Sequence, residues 1–388
     1  MLSLAAVLAV LSYASPASAE LKLSGDAAVR ERGEFKTTTT TGVDTKTDDL
    51  KTQYRIRLNA AADLGDGYFF KAQLMNESPT GVGGAGGWQT VGYSNAELYP
   101  LGVSQFYFGR NLQDCHYSVG RLPLGSAKNP VFDLTLYPTA PLEIPVDTYN
   151  NDRVMAGNYG TKIGNGDLNA TFVVLDNKVG QDTAGSGDGL FNDGYGLLVS
   201  YKTTLGNVTI DPQVITILTK ADVFAAPSSI LAIPATVHQG FRPVTFGTNA
   251  SVPVGDAKLG CSAFYTRGSG TTPTNTVYGA ASGDKVDYFG YLLRVKAEVG
   301  NFTAWYDHNS TTDKSTVTGT AGLTAAKHTY NNNFVWAQYK VNLHQSAAGS
   351  FSVTPTLRYL TAKDNNDLAG TDTSAKRLRT ELYATVTF

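Results

Sequence analysis

From Leu21 onward, apolar and polar residues alternate. Leu21, Leu23, Gly25, Ala27 and Val29 take one parity; Lys22, Ser24, Asp26, Arg30 and Arg32 take the other. After a polar, Thr-rich stretch from Thr37 to Asp49, Tyr54, Ile56, Leu58, Ala60 and Leu64 alternate with Gln53, Arg55, Arg57, Asn59 and Asp63. Period two is the mark of a β-strand with one apolar face, because successive side chains point to opposite sides of the chain. Gly65-Asp66-Gly67 then supplies a tight turn, and Phe70, Ala72 and Leu74 alternate with Lys71 and Gln73 in a third strand.

The rhythm continues to the C-terminus and predicts sixteen strands, over 21–35, 51–64, 68–77, 103–110, 115–121, 152–160, 167–175, 193–203, 207–220, 241–253, 257–267, 285–298, 301–309, 331–342, 350–361 and 376–388. Short connections alternate with long ones, so the long ones all leave one end. The fold class is therefore all-β: a transmembrane antiparallel β-barrel with short periplasmic turns and long external loops.

A soluble sandwich would alternate similarly, and three features argue against it. The inward parity carries Arg and Lys on consecutive strands, which an apolar core cannot accept but a wet lumen can. Loops longer than ordinary recur on one side only. Tyr159, Tyr201, Tyr339, Tyr359 and Phe388 take outward parity towards strand ends, where interfacial aromatic girdles sit. The last strand makes the point locally. Leu378, Leu382, Ala384, Val386 and terminal Phe388 share one parity, against Arg377, Arg379 and Glu381. A chain ending this way resembles the terminal strand of bacterial outer-membrane proteins, which implies an assembly signal at Phe388.

Composition agrees. Hydrophobic residues are 42% of the 388 and charged residues only 16%, below the roughly 25% of soluble domains. Beyond the first 19 residues no apolar run is long enough for a membrane helix. Leu2 to Leu11 is apolar and Ala17-Ser18-Ala19 has small residues at the cleavage positions, so 1–19 reads as a signal peptide and 20–388 as the barrel. No Lys or Arg precedes the apolar run, a departure from the usual leader. Net charge is −2 and no basic run occurs, so nucleic acid is not an expected partner.

Candidate chemistry lies on the inward parity. Arg30 and Arg32 of the first strand, Arg55 and Arg57 of the second, Lys71 of the third, and Arg377 and Arg379 of the last form a basic arc once the last strand closes on the first. Like charges on neighbouring strands need something to oppose them. Two readings follow: the arc faces acids across a constriction, or it pairs with Asp26, Glu34, Asp63 and Glu381 and keeps the wall solvated.

The connection 122–151, between Val119-Gly120-Arg121 and Asn151-Asp152-Arg153, is the third external one and carries Asp133, Glu143 and Asp147. Here the chain resembles the trimeric general porins of Gram-negative bacteria. That family's third loop folds into the lumen and narrows it. The family's Pro-Glu-Phe-Gly-Gly is absent; Pro130-Val131-Phe132-Asp133 echoes it. The resemblance implies a homotrimer in outer-membrane lipid, a water-filled channel for ions and small polar solutes, and constriction-loop acids at those three positions. Two alternatives remain, a substrate-specific channel and a barrel sheath around a multihaem cytochrome partner.

Other motifs are sparse. Cys115 and Cys261 form no CxxC or CxxCH, so covalent haem is not expected in this chain. The five histidines are dispersed and no GxSxG occurs, so neither a metal site, a cofactor nor an enzyme is expected. Asp176 to Asp193 is rich in Gly and Asp but lacks the EF-hand spacing. Trp305 and Trp336 take inward parity, as a sugar-stacking surface or as packing beneath loops. N-terminal sequencing of membrane-extracted protein is expected to read Glu-Leu-Lys-Leu; retention of Met1 to Ala19 would refute the leader.

Overall fold

The computed structural model describes residues 21–76, 88–92, 101–123, 153–176, 194–218, 244–271, 285–314, 316–319, 322–325, 328–366 and 371–388. Sixteen strands form one closed antiparallel sheet. They are β1 (Leu21–Thr40), β2 (Val43–Gly65), β3 (Tyr68–Met75), β4 (Gly102–Asn111), β5 (Cys115–Pro123), β6 (Arg153–Ile163), β7 (Gly166–Asp176) and β8 (Gly194–Leu205). Then come β9 (Val208–Ile217), β10 (Val244–Val254), β11 (Ala257–Thr271), β12 (Lys285–Val299), β13 (Phe302–Asp313), β14 (His328–Tyr339, continued by Val341–Ser346), β15 (Gly349–Asn366) and β16 (Thr371–Thr387). Each pairs with its neighbours in sequence, and β1 pairs with β16 from Asp26↔Thr387 to Thr40↔Thr373, which closes the barrel. Among the described residues there is no helix.

Turn chemistry sets the register. Four of the two-residue turns at the periplasmic end, Gly164-Asn165, Gly206-Asn207, Gly255-Asp256 and Gly300-Asn301, have glycine at positive φ in first place. This is the type II′ arrangement that matches strand twist, and it asks for glycine there.

The opposite end departs from expectation at the first hairpin. The stretch 37–49 is not a loop: β1 and β2 stay paired to Thr40↔Val43 around Thr41-Gly42, both at positive φ. With 20 and 23 residues, these strands far exceed the about 9–11 needed to cross a bilayer. Their outer part is therefore wet on both faces. Its β-prone threonines sustain pairing where alternation no longer reports it. Likewise β15 and β16 run on to Asn366 and Thr371, so β15 continues well past Tyr359.

The two parities face different solvents. Leu23, Val29, Phe35, Phe70, Phe108, Tyr159, Val214, Phe246, Leu293, Tyr306, Leu357 and Leu382 all point outward and are exposed right round the wall. Water-soluble proteins rarely show an apolar patch above roughly 300–600 Å²; a lipid bilayer accepts a continuous one. Free Cys115 and Cys261 sit on this outer parity, on β5 and β11. The inner parity carries Asp26, Arg30, Gln53, Thr171, Gln213, Arg294, Asp307, Asn332, Arg358 and Glu381, all buried.

Closure also explains Gly25. Its N–H donates to the Phe388 carbonyl (2.8 Å) and its carbonyl accepts from Phe388 N–H (3.0 Å). A Cβ on Gly25 would fall 2.5 Å from the Arg57 carbonyl oxygen and 2.8 Å from the Phe388 ring. Phe388 itself is outward and exposed. Gly25→Val and Phe388→Asp are each expected to cut the yield of heat-modifiable barrel in outer-membrane fractions, whereas Phe388→Tyr keeps it. Parental yield from both disruptive variants would contradict this account of the seam.

Candidate functional site

Closing β16 on β1 assembles the basic arc. Along the seam Arg30 lies beside Gln53 and Tyr383, Arg32 beside Glu381, Glu34 beside Arg379, and Lys36 beside Arg377; Asp26 lies beside Arg57. The next strand, β15, brings Arg358 beside Arg379. Sequence reasoning passed over Arg358 because it is the lone arginine of its strand.

Glu381 is the hub of the arc. Its fully buried carboxylate accepts from Arg32 Nε (2.5 Å), pairs with Arg358 Nε (2.7 Å) and Arg30 Nη1 (3.5 Å), and accepts from the Tyr383 hydroxyl (2.7 Å). Tyr383 accepts in turn from Arg358 Nη2 (2.8 Å) and Arg30 Nη1 (3.2 Å). Asp26 holds Arg57 Nε (2.6 Å) and Arg55 Nη2 (3.3 Å), and Glu34 pairs with Arg379. Thus, among the described residues, the six guanidiniums Arg30, Arg32, Arg55, Arg57, Arg358 and Arg379 share three wall carboxylates, Asp26, Glu34 and Glu381. Pairing within the wall is real, and positive charge is left over.

Two expected members fall elsewhere. Lys71 pairs with Ala61 while Arg57 pairs with Met75, two inward positions away, so Lys71 lies nearer the periplasmic turns, over the Phe69 ring (5.3 Å). Asp63 caps its turn by accepting from Gly65 N–H (2.9 Å), and no ion pair joins it to the arc among the described residues. Asp133, Glu143 and Asp147, with all of 124–152, lie outside the described residues.

Aromatic rings finish the arc. Trp88, on a short segment whose Gln89–Thr90 pairs with Gln53 and Tyr54 of β2, covers Arg30 (4.1 Å) and Arg55 (4.9 Å) and meets Tyr383 edge-on (5.5 Å). Further round, Arg358 lies on Trp336 (3.7 Å), Trp336 stacks on Trp305 (4.3 Å), and Arg294 lies 5.0 Å from the Trp305 ring while gripping Asp307 with two bonds of 2.6 and 2.7 Å. Flat, weakly hydrated guanidiniums stack on rings readily, which helps crowded like charges coexist. Both tryptophan faces are occupied in this stack. The sugar-stacking expectation for the Trp305–Trp336 pair therefore gives way to packing.

A second feature was not foreseen. Leu122, Val154, Val173, Ile215, Phe264, Leu292, Phe334 and Leu360 are all inward, yet only 0–6% exposed, and form one apolar belt. It runs from β5 to β15 towards the external ends of the strands. At that level the inward side chains are covered and pack on one another. Its trace in the sequence is apolar residues on both parities of the middle strands.

No family model matches this sequence, and no curated protein does. Solved structures do match. One is an anion-selective porin from Comamonas acidovorans, at 14% identity and TM-score 0.52, covering 94% of this chain and 100% of that one. Another is a loop L8 deletion mutant of OmpT, an outer membrane protein of Vibrio cholerae, at 11% identity and TM-score 0.51, covering 93% and 98%. A trimer form of OmpT matches at 11% identity and TM-score 0.50, covering 94% and 99%. The likeness is one of fold: this is a barrel of porin architecture, divergent in sequence. Its apolar outer wall and closed sheet place it in the Gram-negative outer membrane.

Removing a buried counter-ion strands the charges it served, at a cost of about 3–5 kcal/mol. Glu381→Gln is therefore expected to lower unfolding stability in denaturant by that order, and Lys71→Gln by under about 0.5 kcal/mol. Equal effects from the two would show that Glu381 is not the hub.

Proposed function

We propose that the barrel is a passive porin, a water-filled diffusion channel for ions and small polar solutes, whose closure arc favours anions. The observation that carries this reading is that, among the described residues, six paired guanidiniums share three carboxylates on an inward-facing wall. Fixed charges lining a pore set its selectivity, and the packed belt narrows the bore through which their field acts. On this reading 122–151 is the constriction loop, and Asp133, Glu143 and Asp147 face the arginines to give a transverse field.

We infer a homotrimer as well. Glu31 sits on the outer parity of β1, hydrogen-bonded by Thr52 Oγ1 (2.8 Å), beside an outer-wall groove of about 670 Å³ lined by Gly33, Phe35, Leu50, Ala337 and Pro355. A carboxylate facing hydrocarbon is costly; a neighbouring copy seated in the groove covers it. Porin-fold proteins include a trimer form among the structures matched.

Reversal potentials in planar bilayers under a salt gradient test the channel. Arg55→Gln with Arg57→Gln is expected to keep the fold and shift the potential towards cation preference. Asp133→Asn, Glu143→Asn and Asp147→Asn together shift it towards anions when the loop folds inward. A loop outside the pore would be screened over about 8–10 Å, and that variant would match the parent. No shift in the arginine variant removes the arc from the conduction path. Haem absorbance that co-purifies with a non-conducting barrel would favour the cytochrome sheath instead.

A further inference from the structure

The inner wall of β8 to β13, well round from the closure arc, holds a recess of about 450 Å³. It exists because the wall there is made of small side chains. Asn249 and Ser251 on β10, and Gly260 and Ser262 on β11, occupy the inward positions where other strands carry arginine, tryptophan or leucine. At Gly260 the nearest heavy atoms to an added Cβ are 3.6 and 3.7 Å away, so the glycine relieves no clash. Its effect is to leave space.

The rim of that space is chemically specific. Lys202 and Lys258 reach it from β8 and β11; among the described residues no carboxylate lies within salt-bridge distance of either, although Lys258 stands opposite Glu298 across the strand pair and acts on its carboxylate. The other two cations are already engaged: Lys296 with Glu298 (2.8 Å), Arg294 with Asp307 (2.6 Å). Among the described residues the indole N–H of Trp305 and Oδ1 of Asp211, two buried polar atoms on the lining, have no hydrogen-bond partner; the other Asp211 oxygen accepts from Gln213 (2.7 Å). Buried polar groups are ordinarily satisfied, so each unpaired one calls for a partner.

We propose that this recess is a solute-binding site for small hydroxylated organic anions, of the sugar-acid or sugar-phosphate type. The three features demand three properties in one molecule. Lys202 and Lys258 call for an anionic oxyacid group. Asp211 Oδ1 calls for a hydroxyl that donates, and Trp305 Nε1–H for an oxygen that accepts. A simple halide satisfies only the lysines, and a neutral sugar only the other two. Recesses of a few hundred Å³ lined by a few convergent polar groups are the usual form of small-molecule sites. The inference rests on the reading of the lumen as a solute path, with the recess beyond the closure arc towards the periplasmic turns.

Gluconate serves as the probe, with glucose as its neutral counterpart, and two readouts separate the site from the channel. Saturable reduction of KCl current in planar bilayers reports binding in the path. Quenching of tryptophan fluorescence in detergent micelles reports binding whether or not current flows. The parent is expected to bind gluconate saturably by both, and more tightly than glucose. A pair of hydrogen-bonded charge contacts accounts for a tenfold or greater change, on the order of 1.5–3 kcal/mol each. Lys202→Gln with Lys258→Gln should therefore raise the half-saturating gluconate concentration at least about tenfold. Gly260→Phe, which fills the recess and leaves every charge in place, should do the same while KCl still passes. Gluconate binding that is absent in a conducting parent, or unchanged in both variants, overturns the site and leaves the channel standing. Binding that responds to both variants in a barrel passing no KCl upholds the site and refutes the channel.

Discussion

A backbone amide in hydrocarbon has no water to bond, so a sheet that crosses a bilayer must satisfy all its N–H and C=O groups internally, which only closure achieves. In this chain closure falls between β1 and β16, along a seam that runs from Asp26↔Thr387 to Thr40↔Thr373 and is fastened at its lower end by Gly25 and Phe388. The charge distribution inside follows from that one pairing. Strands at opposite ends of the sequence each carry arginines on the inward parity, and the seam puts them in adjacent rows. Glu34 meets Arg379, and Glu381 meets Arg32, only because the barrel shuts with this register.

The interior that results is unequal round its circumference. Near the seam, arginines outnumber carboxylates and are roofed by Trp88. From β12 to β15 the sequence of stacked groups Arg294, Trp305, Trp336 and Arg358 continues the same chemistry, with Arg294 matched by Asp307. Above these, an apolar belt of buried side chains lies towards the external ends of the strands; on β10 and β11 small residues open a recess near the other end. On the proposed reading, a solute crossing the lumen passes the apolar belt, the cationic wall and a polar alcove. Their physical separation allows each to be altered alone.

Much of this was legible in the sequence, for reasons of geometry. Strict period two leaves one register per strand, so the assignment of Arg55 and Arg57 inward and of Tyr54 and Ile56 outward needs no tertiary knowledge. The strand count follows from the alternation of long connections with short turns such as Gly65-Asp66-Gly67. Where both faces meet water the rule loses its contrast, and the hairpin around Thr41-Gly42 reads as a loop although it is paired throughout. Pairing partners are likewise invisible to a one-strand pattern: Asp63 could be offered to the arginines until the turn claimed it. Lys71 shared their parity but not their level. The belt failed to register because an apolar residue on the inward parity, such as Val173 or Leu292, looks like a blurred strand until its burial is known.

The central claim is that alternate residues of one strand face water and lipid, and that the water side is a conducting lumen. Cysteine substitution at Tyr54, Arg55, Ile56 and Arg57, one at a time in a Cys115→Ser, Cys261→Ser background, tests it directly with a charged, membrane-impermeant thiol reagent added to single channels in a planar bilayer. The expected result is a stepwise change in current at 55 and 57 and none at 54 and 56. Modification at 54 and 56, or reaction at all four positions without any effect on current, would contradict the account.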